Sequence, residues 1–228
     1  MKKIISAGLF FFTAIIYISC VSQSENLYIP VPDSSYFVIN RTIGIDIDSI
    51  IDFKNTGTNA EWLYAFLEGG IEAVELKDQY NDKYVFISVN KDENFPILEK
   101  WAENYSEIRD FPMLAAARIE KKMILSSSLY PDDEYGLFFE RLVKNAFTSL
   151  YPGTVKEDIS WIKLKSDNEN SNNNLNEIYM FFVLITIDKQ VLQNQITNMI
   201  THVLTSVSPT SAQRASINRL RQTFFEGF

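Results

Sequence analysis

The sequence predicts an α+β domain: a mainly antiparallel sheet of about four to five strands with helices packed on it. Three observations carry this. Period-two alternation and short apolar runs recur between segments of helical periodicity. Tight-turn residues such as Asn81-Asp82 lie between neighbouring strand-like runs, as hairpins require. The chain has 228 residues, enough to bury a core without staples.

From the N-terminal side, Ile43, Ile45 and Ile47 alternate with Gly44, Asp46 and Asp48 and predict a half-buried strand within Asn40–Phe53. Thr58-Asn59-Ala60-Glu61 reads as a capping box for a helix carrying Trp62–Leu67, with Gly69-Gly70 as its stop. Val74 and Leu76 alternate with Glu75 and Lys77 and predict a strand near a sheet edge. Tyr84–Val89 is nearly continuous apolar and predicts a central one.

A helix should then align Leu98, Trp101, Ala102, Tyr105 and Ile108. Asp110-Phe111-Pro112 should restart it, with Pro112 in the first turn and Ala116, Ile119 and Met123 on the buried stripe. Asp132 or Asp133 is expected to cap a helix with Phe139, Leu142, Val143, Ala146 and Leu150 inward, ended by Pro152-Gly153.

Val155–Lys165 and Ile178–Ile187 read as the next strands, joined through Ser166–Asn176, an asparagine-rich hairpin tip. Asp188 should open a helix with Leu192, Ile196, Met199, Ile200, Val203 and Val207 on one face. Thr210-Ser211-Ala212-Gln213 is a capping box for the last helix. The order helix, hairpin, helix then occurs twice, a possible αββα pseudo-repeat with halves 54–130 and 131–228 inside a single domain, 36–228.

Function classes narrow by count. The net charge is −8, and removing Lys2 and Lys3 with a leader leaves 19 basic against 29 acidic residues. Such a body is a poor partner for nucleic acid. One cysteine and one histidine exclude disulfide frameworks, and Cys–His nucleophile pairs and zinc fingers find no support. No phosphate-binding glycine motif occurs among the eight glycines. His202 is expected on a solvated helix face. Asp46, Asp48 and Asp52 could gather round a cation, but read more simply as a solvated strand face. Asp132-Asp133-Glu134 reads as charge at a helix start. No catalytic residue, cofactor site or metal site is assigned.

The leader is more informative. Met1-Lys2-Lys3 precedes an uncharged core, Ile4–Ile18, of signal-peptide length and too short to span a bilayer. The lone cysteine, Cys20, follows directly behind Ser19. Tyr17-Ile18-Ser19-Cys20 resembles a bacterial lipoprotein signal of the relaxed spirochaete type. The usual order there is Leu, Ala or Ser, Gly or Ala, then Cys; Ser19 suits its place and Tyr17 and Ile18 depart from it. The resemblance implies removal of 1–19, acylation of Cys20 (diacylglycerol and an amide-linked chain such as palmitate) and a lipidated tether, 20–35. It also implies a membrane partner through that lipid and a place in the cell envelope, periplasm-facing or surface-exposed, with the outer membrane favoured by Val21.

The run Leu114-Ala115-Ala116-Ala117-Arg118-Ile119, with the later Phe182-Val183-Leu184-Ile185-Thr186-Ile187-Asp188-Lys189, is similar to the LPP20 class of bacterial lipoproteins over residues 84–207. That resemblance implies envelope location and fold but no activity. The expectation is therefore a non-enzymatic binding or scaffolding domain with an envelope protein partner. The 17 Phe, 11 Tyr and 3 Trp also suit a carrier of hydrophobic ligands. A carboxylate-dependent envelope hydrolase is the third reading. Two buried acids in a cleft would favour the hydrolase, an enclosed apolar cavity the carrier, and an exposed apolar patch the binding module.

Overall fold

The computed structural model describes residues 35–38, 50–55, 61–129, 135–165 and 177–228, all within one compact unit, residues 31–228. The leader, Cys20 and most of the tether lie outside the described residues. So do Asp46, Asp48, the Ile43–Asp48 alternation, Thr58–Ala60, Asp132, Asp133 and the insert 166–176.

The fold is α+β, as the sequence predicts. Its strands are β1 (Ser35–Val38), β2 (Ile50–Asn55), β3 (Lys83–Asp92), β4 (Val155–Lys165) and β5 (Glu177–Asp188). They form one sheet in the order β1-β3-β5-β4-β2, every neighbouring pair antiparallel. The helices are α1 (Glu61–Glu75), α2 (Phe95–Glu103), α3 (Glu107–Leu129), α4 (Leu137–Thr148), α5 (Lys189–Val207) and α6 (Ser211–Thr223). β5 sits in the middle and is apolar from Ile178 to Ile187 but for Thr186, as suits a strand with both faces covered.

Alternation along the strands separates two cores. Phe181, Val183, Ile185 and Ile187 of β5, with Tyr84 and Phe86 of β3, face a large core supplied by α2 to α6. Met180, Phe182 and Leu184, with Val85, Ile87 and Val89, face a smaller core closed by α1. Helices thus cover both faces of the sheet. Phe66 of α1 meets Phe182 edge to face at 6.0 Å between ring centres.

Three expectations about element ends are corrected. Val74 and Leu76 are not strand residues. The helix continues past the glycines to Glu75, kinked at Gly70 (φ 72°, ψ −164°). Trp62, Leu63, Phe66, Leu67, Ile71 and Val74 are all buried, a period near 3.6 that the two-residue alternation of Val74 and Leu76 cannot override. The αββα order therefore occurs once among the described elements, as α4-β4-β5-α5, and the first half holds a single strand after its helix.

Pro112 is the sixth residue of α3 rather than a first-turn residue. The helix starts earlier because Ser106 and Asp110 serve its N-terminus: the Asp110 carboxylate accepts from Ser106 N–H at 2.8 Å, and Ser106 Oγ accepts from Arg109 N–H at 3.4 Å. Ile108 then falls on the exposed side instead of extending the α2 stripe. Leu150 lies beyond the end of α4 and is exposed for the same reason, the helix having stopped at Thr148.

The caps of α5 and α6 match the sequence, whereas α4 starts at Leu137 with Gly136, not Asp132 or Asp133, as its N-cap. Asp188 accepts from Val191 N–H at 3.0 Å, and Thr210 and Gln213 exchange both bonds of a capping box.

Gly70 adopts a backbone conformation that residues with a Cβ rarely reach. Gly70→Ala is expected to destabilise the domain by about 1–3 kcal/mol, read as a lower urea midpoint at unchanged slope. An unchanged midpoint would show that the kink is not needed.

Candidate functional site

The sequence-selected residues do not assemble into a reacting centre. Asp52 lies on edge strand β2, opposite Lys163 in the β2–β4 ladder, and is exposed. His202 is exposed on α5, as expected. Among the described residues no group of three His, Cys, Asp or Glu side chains could hold a metal ion.

The acids that do meet are ones sequence reading passed over. The β4–β5 register shifts between Lys156 and Asp158. The extra residue, Glu157, turns its carboxylate toward Thr186 and thus shares the α1 side with Asp158. Glu157 Oε1 accepts from Lys83 Nζ at 2.8 Å and from Thr186 Oγ1 at 2.6 Å. Asp158 Oδ2 accepts from Trp62 Nε1 at 2.8 Å, and its Oδ1 from Ile159 N–H at 2.8 Å. Burial, then the charges of Glu157 and Asp158, raises the Tyr80 phenol, which stays protonated. Burial pushes the Glu157 carboxyl upward, but the bonds from Lys83 and Thr186 and the Lys83 charge outweigh it, so the net shift is downward. Both carboxylates are engaged in fastening α1 and β3 to the bulge.

A second polar centre is buried. Arg118 of α3 is 4 % exposed and lies over the rings of Tyr84, Phe86 and Phe228 at 5.0, 5.0 and 4.9 Å. Its Nη1 donates to Val85 O at 3.0 Å, and both Nη atoms donate to Glu75 Oε1 at 3.3 Å. Glu75 Oε1 in turn accepts from Val85 N–H at 2.9 Å. Arg118 Nη2 also donates to Phe228 O, and Lys122 Nζ donates to Glu226 O. The segment after α6 is thereby held against α3, with Phe224 and Phe228 buried. The apolar C-terminal residues Phe224 and Phe228 therefore pack on the domain.

That docking shapes a cavity. A groove of about 400 Å³ opens between α5 and α6, lined by Thr197, Ile200, Asn218, Arg221, Gln222 and Phe225. Asn218, Arg221 and Gln222 share one stripe of α6, and Phe225 follows at the same spacing in the turn after it. The Phe225 ring stacks edge to face on Phe224 (5.2 Å) and Phe228 (5.8 Å), so the Arg118 contact fixes its place. The groove is open and carries both polar and apolar walls, unlike an enclosed cavity for a hydrophobic ligand. The sequence did hold a signal for it: Lys189–Phe225 contains no Asp or Glu, although the chain has 29.

At the Tyr151–Thr154 turn, Leu150 (72 % exposed), Val155 and Val191 leave an apolar surface. Gly153 lies against Val191, and Glu107, beside the exposed Ile108, accepts from Lys156 N–H at 3.1 Å.

No protein-family model, curated protein or solved structure matches the chain.

Two outcomes test these centres. Arg118→Met should cost about 3–5 kcal/mol, because it strands the Glu75 carboxylate and the Val85 carbonyl. Glu75→Gln should cost less, since its carboxamide oxygen still accepts from Val85 N–H. A urea midpoint unaltered in Arg118→Met would refute the assignment. For Glu157 the folded carboxyl lies below its unfolded value. Its contribution is therefore present above the unfolded pKa and lost as pH falls through the folded one. Glu157→Gln should flatten the acid limb of stability against pH below about 4.5; an acid limb matching that of the parent protein would remove the role given to Glu157.

Proposed function

We propose that this chain is a lipid-anchored envelope lipoprotein whose α+β domain binds or scaffolds a partner. The observation that carries the anchor is the uncharged Ile4–Ile18 core ending just before the lone Cys20. Cleavage ahead of Cys20 and acylation there hold the domain at the membrane. One chain gives marginal attachment, while two or three at about 0.8 kcal/mol per buried CH₂ give a stable one. No helix among the described residues is long and apolar enough to cross a membrane.

The domain supports the binding half of this reading by what its polar groups are used for. Glu157 and Asp158 stitch strands and helix together, and Arg118 seals an edge. What remains open to a partner is the α5–α6 groove and the apolar surface round Tyr151–Thr154.

The mature protein should begin at Cys20, carry acyl mass and partition into detergent. Cys20→Ala should move it to the aqueous phase or leave the leader uncut. Wild-type protein with no acyl mass, partitioning like Cys20→Ala, would overturn the anchor.

A further inference from the structure

We infer that the α5–α6 groove is a binding site for a carboxylate-bearing peptide end. The inference rests on the binding half of the proposed function and not on the anchor. Three observations meet here. The first is shape: about 400 Å³ lies between two helices, a volume within the range of small-ligand sites.

The second is the donor set. Arg221 makes no hydrogen bond or ion pair among the described residues, and neither do the side chains of Asn218 and Gln222. One guanidinium presents a planar fork matched to a carboxylate, and a single cation balances a single negative charge. A phosphate dianion would call for more. Each flanking carboxamide can both donate and accept, as a peptide amide beside the carboxylate requires. Ile200 and Phe225 offer an apolar floor for the side chain next to that end.

The third is the field. Lys189–Phe225 carries Lys189, Arg214, Arg219 and Arg221 with no carboxylate, on a chain of net charge −8. The α5–α6 layer is the positive part of an acidic protein and favours entry of an anion there. Phe225 reaches the groove because Phe228 is held by Arg118, which makes Arg118 a positioning residue for the floor.

The test is calorimetric titration of the full chain in detergent at low salt. The probes are N-acetyl-alanyl-leucine with a free carboxylate, the same peptide as its C-terminal amide, and inorganic phosphate. The free acid should bind, with the amide and phosphate each about tenfold weaker or more, the difference expected for a charge-assisted hydrogen bond. Arg221→Gln should lose the same factor while keeping the parent melting temperature. Arg214→Gln removes an equal charge from the same helix outside the groove and should bind as the parent does. Asn218→Ala should weaken the acid and leave phosphate unchanged. Equal binding of acid and amide, phosphate binding as tightly as the acid, equal losses in the two arginine variants, or no heat with any probe would each overturn the site. Acylation at Cys20 is read separately by mass, so failure here and failure of the anchor are distinct results.

Discussion

Val85 sits on β3 beyond the four residues with which β1 pairs, and its N–H and C=O both leave the strand on the same side. Buried there without partners, these groups would cost more than most single contacts return. Glu75 accepts from the N–H and Arg118 donates to the C=O, so a buried ion pair takes the place of a neighbouring strand. The pair reaches round the sheet edge from both sides, since Glu75 ends α1 on one face and Arg118 lies in α3 on the other. The two cores are thereby tied together. Burial pushes the guanidinium pKa down while Glu75 opposes that shift. The rings of Tyr84, Phe86 and Phe228 supply the rest of its surroundings. The kink at Gly70 lies in the same helix, five residues ahead of Glu75.

The other polar centre works in the same manner on another strand. The extra residue in β4 places Glu157 and Asp158 where Lys83, Thr186 and Trp62 can reach them. A bulge of this kind re-aims side chains and sharpens strand twist. Here the re-aimed carboxylates secure α1 and β3 to the centre of the sheet. Acidic pairs in a fold invite a catalytic reading; the donors that hold this one, Lys83, Thr186 and Trp62, tie it to the strands and helix around it.

Among the described residues the α5–α6 groove lies on the helical layer. The acids are spread over the rest of the chain, whereas α5 and α6 are cationic or neutral. The terminal aromatic segment joins that layer to the buried arginine, so the groove wall and the sealed edge depend on one contact. A lipid at Cys20 would confine these surfaces to the neighbourhood of a membrane, where partners are concentrated without needing high intrinsic affinity.

Local chemistry was enough to read much of this from sequence. The Thr210–Gln213 capping box, the Asp188 cap and the apolar run of β5 are set by neighbours within a few residues, and they appear where expected. The lipobox-like end of the leader is equally local. Val74 and Leu76 misled because a two-residue alternation is weak beside a six-residue helical stripe whose partner face lies on β3 and β5. Pro112 and Ile108 misled because the start of α3 depends on the Ser106–Asp110 bonds. The ion pair of Glu75 with Arg118, the bulge at Glu157 and Asp158 and the α5–α6 groove join residues up to 96 positions apart. No periodicity marks such pairings, since they depend on which strand edges and helix faces the folded chain brings together. Sequence alone determined the caps of α5 and α6, the inward faces of β3 and β5 and the acid-free stretch from Lys189 to Phe225. Tertiary structure decided which charges are spent on the fold and which are left unpaired, because only packing sets burial and partner distance.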